Sequence, residues 1–460
     1  MAGIGFKLQK ILSNESYSNL LQGYFYSAVV SSGPVLFTIF SLTILGVISS
    51  SKVSHHELQV FRTLVVYIYG TSLVISSPFQ MVLTRYMADR IFIKDYSALV
   101  PSFVGVSILS TVVHAVIGYI AVKALNFDFG TSVATVALFA NVGIIWIAMI
   151  TISASKDFVW IVKSFMYGSI LSLVAGYLLG TRFQLMGLVM GFCLGQILIV
   201  IMLSVQIFTE FEYRNRLEFY FLEYFKKYTA LAFIATLFNI GIWGDKVVFW
   251  FTRETSQQVH SFLRASYVYD VPIFLSYLFI VPALAMFTIQ VETSFYIHYK
   301  KYFLSILNRH PYSSLIERQN NIINDLKLSM GRILVLQGTI SVVGIFLSEK
   351  IYNYIGISSI NLGVFQIAIL AVFLLALLQI LLIITLYFDY RTDALILSGT
   401  FALTNILFTI VSIWMGFSYY GYGILFSCLT SLVVGFVLFN YRLRSLIYYT
   451  FINQKIIVND

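Results

Sequence analysis

Residues 1–34 read MAGIGFKLQKILSNESYSNLLQGYFYSAVVSSGP, and the apolar run that begins inside this stretch continues to about residue 49. Ile4, Leu8, Ile11 and Leu12 share one helical face, with Lys7, Lys10 and Asn14 opposite and Phe6 departing from the pattern. This suits either a short helix lying on the inner leaflet or an ordinary basic flank. The apolar run is too long for the core of a secretory signal, and no small-residue cleavage site follows it, so it is expected to be retained as a first membrane span. Gly33-Pro34 falls midway along that span, where it is expected to break the helix.

Composition extends the membrane reading to the whole chain. Of 460 residues, 59% are hydrophobic and 11% charged, against about 45–50% and 25% in globular domains. The charges sit in short patches between long apolar stretches. Cys193 and Cys428 both lie inside apolar stretches, which argues against a disulfide framework or a cysteine metal site. The net charge of +9 is better explained by topology than by nucleic acid.

Twelve spans are expected, near 20–49, 61–84, 99–123, 130–154, 160–180, 186–208, 228–251, 268–292, 331–348, 362–388, 394–415 and 420–440. With both termini in the cytoplasm, 21 Lys and Arg fall in inner segments and 7 in outer ones, a bias of the sign that orients membrane proteins. The domain plan is then an amphipathic cytoplasmic segment 1–19, an N-lobe 20–208, a cytoplasmic linker 209–227, a C-lobe 228–440 and a cytoplasmic tail 441–460. Loop 293–330, interrupted at Pro311, is expected to form one or two surface helices. Six spans on each side of the linker suggest an internal repeat. Ser31-Ser32-Gly33-Pro34 has a counterpart at comparable depth in Ile242-Trp243-Gly244-Asp245.

Few residues have chemistry to offer inside the bilayer. Gly33, Pro34, Pro78, Pro272 and Pro282 mark spans expected to bend or to line a cavity, because a broken helix frees backbone groups that must find partners; proline kinks without any role are common too. Asp245 and Lys246 are adjacent in span seven. Neighbouring helix positions point in different directions, so the pair is not expected to neutralise itself, and one member should face a cavity or another span. Intramembrane charge is a functional hypothesis by default, unless hydration at the outer interface explains it. Asp245 reads as the one deep carboxylate. Arg85 and Asp89, spaced for a helical ion pair, lie with Arg90 and Glu292 at the cytoplasmic mouth, although snorkelling or loop charges are the commoner explanation for each. His114, Asn141, Gln196, Asn239, Gln290, Gln337, Gln366, Gln379 and Asn405 suit sugar contacts or, more commonly, helix–helix hydrogen bonds. No Gly-rich phosphate loop with its lysine occurs. Neither a catalytic cluster nor a metal or cofactor site is visible, and the chain does not read as an enzyme.

Met1-Ala2-Gly3-Ile4-Gly5-Phe6, the basic Leu-rich segment after it, Tyr24 to Tyr26 and Ser31-Ser32-Gly33-Pro34 resemble the N-terminus of the PelG family. TRYMADRIF at 84–92 and YFDYRTDAL at 387–395 resemble later motifs of that family. The resemblance implies an all-α MATE-like fold of two six-helix lobes within the multidrug/oligosaccharidyl-lipid/polysaccharide flippase superfamily. It also implies a bacterial inner-membrane exporter of an N-acetylgalactosamine-rich polysaccharide. The implied partners are a PelF-like cytosolic glycosyltransferase and PelD-like and PelE-like membrane proteins. It supplies no binding residues. A cation-coupled drug antiporter and a lipid-linked oligosaccharide flippase share the fold, and a non-conducting scaffold for the synthase is a rival of another kind. An antiporter needs a titratable carboxylate in the membrane, and span one has none between Leu20 and Ile48.

Overall fold

A computed structural model describes residues 17–155, 158–211, 219–290 and 294–452 of the chain. Lys7, Lys10, Glu292, the middle of the linker and the last eight residues of the tail lie outside them. Almost all of the described chain is helical, and ten helices among the described residues are long and apolar enough to cross a membrane.

Helix α1, Tyr17–Ile48, runs through Gly33-Pro34 without a break, contrary to the expectation from sequence. Proline's fixed φ is itself helical, so the cost is one lost N–H bond and local crowding, and a membrane helix tolerates both. Gly33 and Pro34 are buried, and the Thr38 hydroxyl donates to the Pro34 carbonyl at 2.9 Å. Helix α2, His55–Phe92, likewise continues through Pro78. Its start is fixed by Ser54, whose hydroxyl oxygen accepts from the Glu57 N–H. Helices α3, Leu99–Leu125, and α4, Phe129–Ser155, follow.

Helix α5, Phe158–Glu210, has 53 residues, about 80 Å at 1.5 Å per residue and far more than one bilayer crossing. It turns back at Gln184, where φ is 53° and ψ −127°. The two arms then lie against each other along a seam of small residues. Gly168, Ser172, Gly176 and Gly180 recur every fourth position on one arm, and Gly187, Gly191 and Gly195 do so on the other. A methyl group on Gly191 would overlap the Gly176 backbone, and one on Gly195 the Gly168 carbonyl. Packing of this kind drives helix association where lipid removes the hydrophobic contrast.

Helices α6, Phe221–Lys227, and α7, Thr229–Phe251, lead into a two-stranded antiparallel hairpin, β1 Gln257–His260 and β2 Leu263–Ala265. Helix α8, Tyr267–Ser276, a 3₁₀ turn at Tyr277–Ile280 and helix α9, Val281–Gln290, make up the eighth apolar segment. Here a break does occur, between Pro272 and Pro282. In a 3₁₀ turn the Phe279 carbonyl would accept from residue 282, but Pro282 has no N–H. The Gln337 amide supplies the missing donor at 2.7 Å, and Gly344 leaves room for the Phe279 ring.

Helix α10, Tyr296–Leu307, precedes α11, Tyr312–Ile355. The sequence suggested a surface helix followed by a separate span from 331. One 44-residue helix serves as both, because nothing between Leu315 and Met330 interrupts it. Helices α12 Leu362–Tyr387, α13 Arg391–Met415, α14 Tyr422–Arg444 and α15 Leu446–Ile452 complete the described chain.

Two compact units emerge, and they do not follow chain order. One is Ser32–Val271; the other combines the residues up to Ser31 with those from Pro272 onward. The chain passes from one unit to the other within α1, beside Gly33-Pro34, and within α8, at Pro272. In the Ser32–Val271 unit, one core gathers Leu83, Tyr86, Phe103, Ile152, Leu203 and Phe221. A second gathers Leu58, Phe61, Leu138, Leu188, Phe192 and Leu263. The other unit has a core cluster at Tyr352, Phe365 and Ile369.

Candidate functional site: buried charges of the seventh and eighth apolar segments

Asp245 and Lys246 sit in α7 at 0% and 1% exposure, too deep for hydration to account for them. The expectation that they cannot neutralise each other is wrong. Lys246 Nζ lies 3.0 Å from Asp245 Oδ1 and 3.1 Å from Oδ2. The four-carbon lysine stem is long enough to curl back over its own turn, and Nζ also donates to the Ile242 carbonyl at 2.8 Å. Spacing arguments for adjacent residues hold for short side chains and fail for lysine. The Tyr269 hydroxyl, from α8, donates to Asp245 Oδ2 at 2.6 Å, while its ring stacks on Phe249 at 3.7 Å between centroids. Lys246 Nζ stands 5.9 Å from the Trp243 ring centroid. Gly70 of α2 leaves the room that Trp243 occupies.

Sequence reasoning overlooked Asp270. It lies two residues before Pro272 and is 8% exposed, so Asp245 is not the one deep carboxylate. The Trp250 indole N–H lies within 3.0 Å of both Asp270 oxygens, and the Ser266 N–H donates to Oδ2 at 2.9 Å. Trp250 stacks on Tyr67 at 4.4 Å. Asp270 also occupies the first turn of α8, where a carboxylate is favoured by the helix N-terminus. The signal in the sequence was plain: an acidic residue inside an expected span, two positions before a proline. The site thus holds two buried carboxylates and one buried ammonium, all in the Ser32–Val271 unit. A buried charge is tolerable only when it is paired or well hydrogen-bonded: Asp245 and Lys246 pair with each other, and Asp270 is held by the Trp250 and Ser266 N–H groups.

At the other end of α2, Arg85 Nε lies 3.3 Å from Asp89 Oδ1, the helical pair that the spacing suggested. Arg90 bonds Asp95 Oδ2 at 3.1 Å and stands over the rings of Tyr86 and Tyr220 at 5.1 and 5.2 Å. The Tyr224 hydroxyl of α6 donates to Asp89 at 3.2 Å. Burial, with the neighbouring Asp89 charge adding to it, pushes the Tyr224 phenol up to about 12. Arg85, Asp89 and Arg90 are therefore brought together, whereas Glu292 lies outside the described residues. The motif at 387–395 forms a comparable cluster: Arg391 grips Asp389 at 2.6–2.7 Å, and Arg442 grips Asp393 at 2.7 and 3.1 Å.

The uncharged polar residues mostly bond to protein. The Gln196 carbonyl accepts from Tyr69 at 2.9 Å, Asn141 and Asn239 donate to carbonyls one turn back, and Gln366 reaches Ser348. His114 is buried against the Ser110 carbonyl at 2.7 Å, and Gly143 makes room for its ring. Among the described residues no group of three or more His, Cys, Asp or Glu is placed to hold a metal ion.

This architecture is shared with solved transporters. An outward-facing multidrug-resistance MATE family transporter of the MOP superfamily aligns over 91% of this chain and 96% of its own, with a TM-score of 0.64 at 11% identity. The inward-facing form of such a transporter gives 0.61 over 91% and 98% of the two chains at 12% identity. A MOP superfamily transporter from Pyrococcus furiosus, described as having a binding pocket of reverse polarity, gives 0.63 over 91% and 96% at 12% identity. The chain thus has the fold of a MATE-type multi-pass membrane transporter. Residues 1–451 match the PelG family, described as "Putative exopolysaccharide Exporter (EPS-E)", and the chain belongs to that family. Among curated proteins none matches. Family and fold together point to membrane transport rather than catalysis.

Proposed function

We propose that this protein exports a Pel-like, N-acetylgalactosamine-rich exopolysaccharide across the bacterial inner membrane, with both termini in the cytoplasm. The observation that carries this reading is the PelG family match over residues 1–451 on a transporter fold. In this reading the chain crosses the bilayer twelve times, as two six-span lobes at 20–208 and 228–440 joined by the linker 209–227. A PelF-like glycosyltransferase delivers the polymer from the cytosol, where α10, the start of α11 and the Arg85–Asp89–Arg90 cluster offer charged and aromatic surface. PelD-like and PelE-like proteins complete the assembly in the membrane. Asp245 and Lys246 belong to the outer part of the path, reached when the helices around them part. Gly33-Pro34, Pro272 and Pro282 are the places where those helices bend.

Reconstitution with the synthase partners in vesicles tests the reading. An exporter delivers polymer into the lumen of vesicles that carry the synthase outside. Polymer made normally but retained outside would instead mark a scaffold. Variants Asp245→Asn and Lys246→Met, present at normal levels, are expected to lose export; normal export by both would remove them from the path. A cation-coupled transporter of the same fold is the second reading. Asp270 favours it, since it removes the objection that the membrane holds only one deep carboxylate.

A further inference from the structure

The hairpin at 257–265 does more than connect α7 to α8. His56 Nε2, near the start of α2, meets the Val259 carbonyl at 3.1 Å, and the Tyr67 hydroxyl one face along donates to the Arg264 carbonyl at 3.0 Å. In the opposite direction, His260 Nε2 meets the Leu125 carbonyl at 2.9 Å. The Ser261 hydroxyl donates to the Ala124 carbonyl at 2.8 Å. The His260 ring stacks on Phe127 at 4.9 Å and 17°, and Leu263 is 1% exposed within the core that also holds Leu58, Phe61, Leu138 and Phe192. The hairpin therefore grips the ends of α2 and α3 on the side poor in Lys and Arg. Every one of these four hydrogen bonds ends on a backbone carbonyl, and none is an ion pair.

The turn itself is strained. A two-residue hairpin favours glycine or asparagine where φ is positive, yet Ser261 stands there at φ 48°. Serine rarely adopts this conformation, and such residues persist only where their surroundings hold them. Here the holding groups are the Ala124 carbonyl and the stacked His260 and Phe127 rings. The two-residue turn demands this φ whether or not the hairpin is docked, and the Gln258 amide donates to the Ser261 carbonyl at 2.6 Å within the hairpin itself.

We propose that the 257–265 hairpin is a strap that fastens α7 and α8 to the outer ends of α2 and α3, and that it must detach for cargo to leave. The part about cargo rests on the export reading above. The strap closes the exit in the resting protein, and four hydrogen bonds to backbone carbonyls, with no ion pair among them, keep the docked state from being too stable to open.

Two measurements decide it. In a Cys193→Ser, Cys428→Ser background, Ala124→Cys and Ser261→Cys are joined by a short thiol-specific reagent in protein reconstituted with its synthase. The joined protein is expected to deliver at least tenfold less polymer to the vesicle lumen than the unjoined control, with recovery on cleavage of the link. Undiminished delivery by the joined protein would overturn the strap. If neither the unjoined control nor the natural protein delivers polymer, the export reading fails, and hydrogen exchange on the intact protein then decides the strap by itself. Amides of 257–265 are expected to exchange at least tenfold faster, as one unit, in His260→Ala/Ser261→Ala than in the natural sequence. Equal rates would mean that these side chains do not hold the hairpin down, and the proposal would fall.

Discussion

Lys246→Met tests whether the buried ion pair of α7 is a structural necessity. The substitution keeps an unbranched apolar stem and removes the ammonium, which lies within 3.1 Å of both Asp245 oxygens and donates to the Ile242 carbonyl. Asp245, at 0% exposure, would keep the Tyr269 hydroxyl and lose its countercharge. Stripping one partner from a buried pair costs about 3–5 kcal/mol. Asp245→Asn in the same molecule removes the orphaned charge while leaving an oxygen for Tyr269. The double variant should therefore recover most of the loss, to within about 1–2 kcal/mol of the natural protein. Detergent-solubilised protein can be compared by denaturant or thermal unfolding followed by size-exclusion fluorescence. The reasoning fails if the double variant is as unstable as Lys246→Met alone, because the loss would then come from packing and not from charge. It fails equally if Lys246→Met is indistinguishable from the natural protein.

Three further outcomes follow from the geometry. Gly191→Leu should cost at least about 1–3 kcal/mol and reduce folded yield, since any Cβ there overlaps the Gly176 backbone; Gly363→Ala, with open space around it, should be neutral by the same assay. Gln337→Leu should cost about 0.5–1.5 kcal/mol by removing the hydrogen bond to the part-buried Phe279 carbonyl, while Gln337→Asn should recover little because its shorter stem does not reach. Asp128 caps α4 by accepting from the Thr131 N–H at 3.0 Å, and the Thr131 hydroxyl and N–H hold its carboxyl below the usual range. The stabilisation is therefore present at neutral pH and lost as pH falls through the depressed folded value. Asp128→Ala should cost about 0.5–1 kcal/mol at pH 7, at the low end for an exposed cap, and this difference should vanish in strongly acidic buffer.

The apolar runs made the helices legible from sequence, and the four-residue spacing made the Arg85–Asp89 pair legible too. Bilayer physics leaves little choice about either: backbone must be satisfied internally, and charges collect at the ends. What escaped was fixed by tertiary detail. Gly33-Pro34 announces a break that the helix does not make, whereas the break at Tyr277–Ile280 depends on Gln337, some sixty positions away. The Asp245–Lys246 contact needs the reach of a lysine stem, which residue spacing does not encode. Hairpin 257–265 lacks the Asn-Gly or Gly-X turn that would have betrayed it, because a serine stands at the positive-φ position. Two features could have been found: Asp270 inside an expected span, and the four-residue period of glycines between 168 and 195. The grouping of α7 with the Ser32–Val271 unit is a property of packing, and chain order pointed elsewhere.

The glycine seam of α5 has a bearing on how the protein is made. A turn confined to Gln184 leaves almost no polar loop between the two arms, so neither arm can settle in the bilayer and wait for the other. A close backbone-to-backbone fit between the arms is then what completes this part of the fold. Errors in this region would then show up as chains lost during insertion, before any question of transport arises. Mutational damage along the seam should register in quality control and membrane abundance, with the molecules that escape degradation working normally.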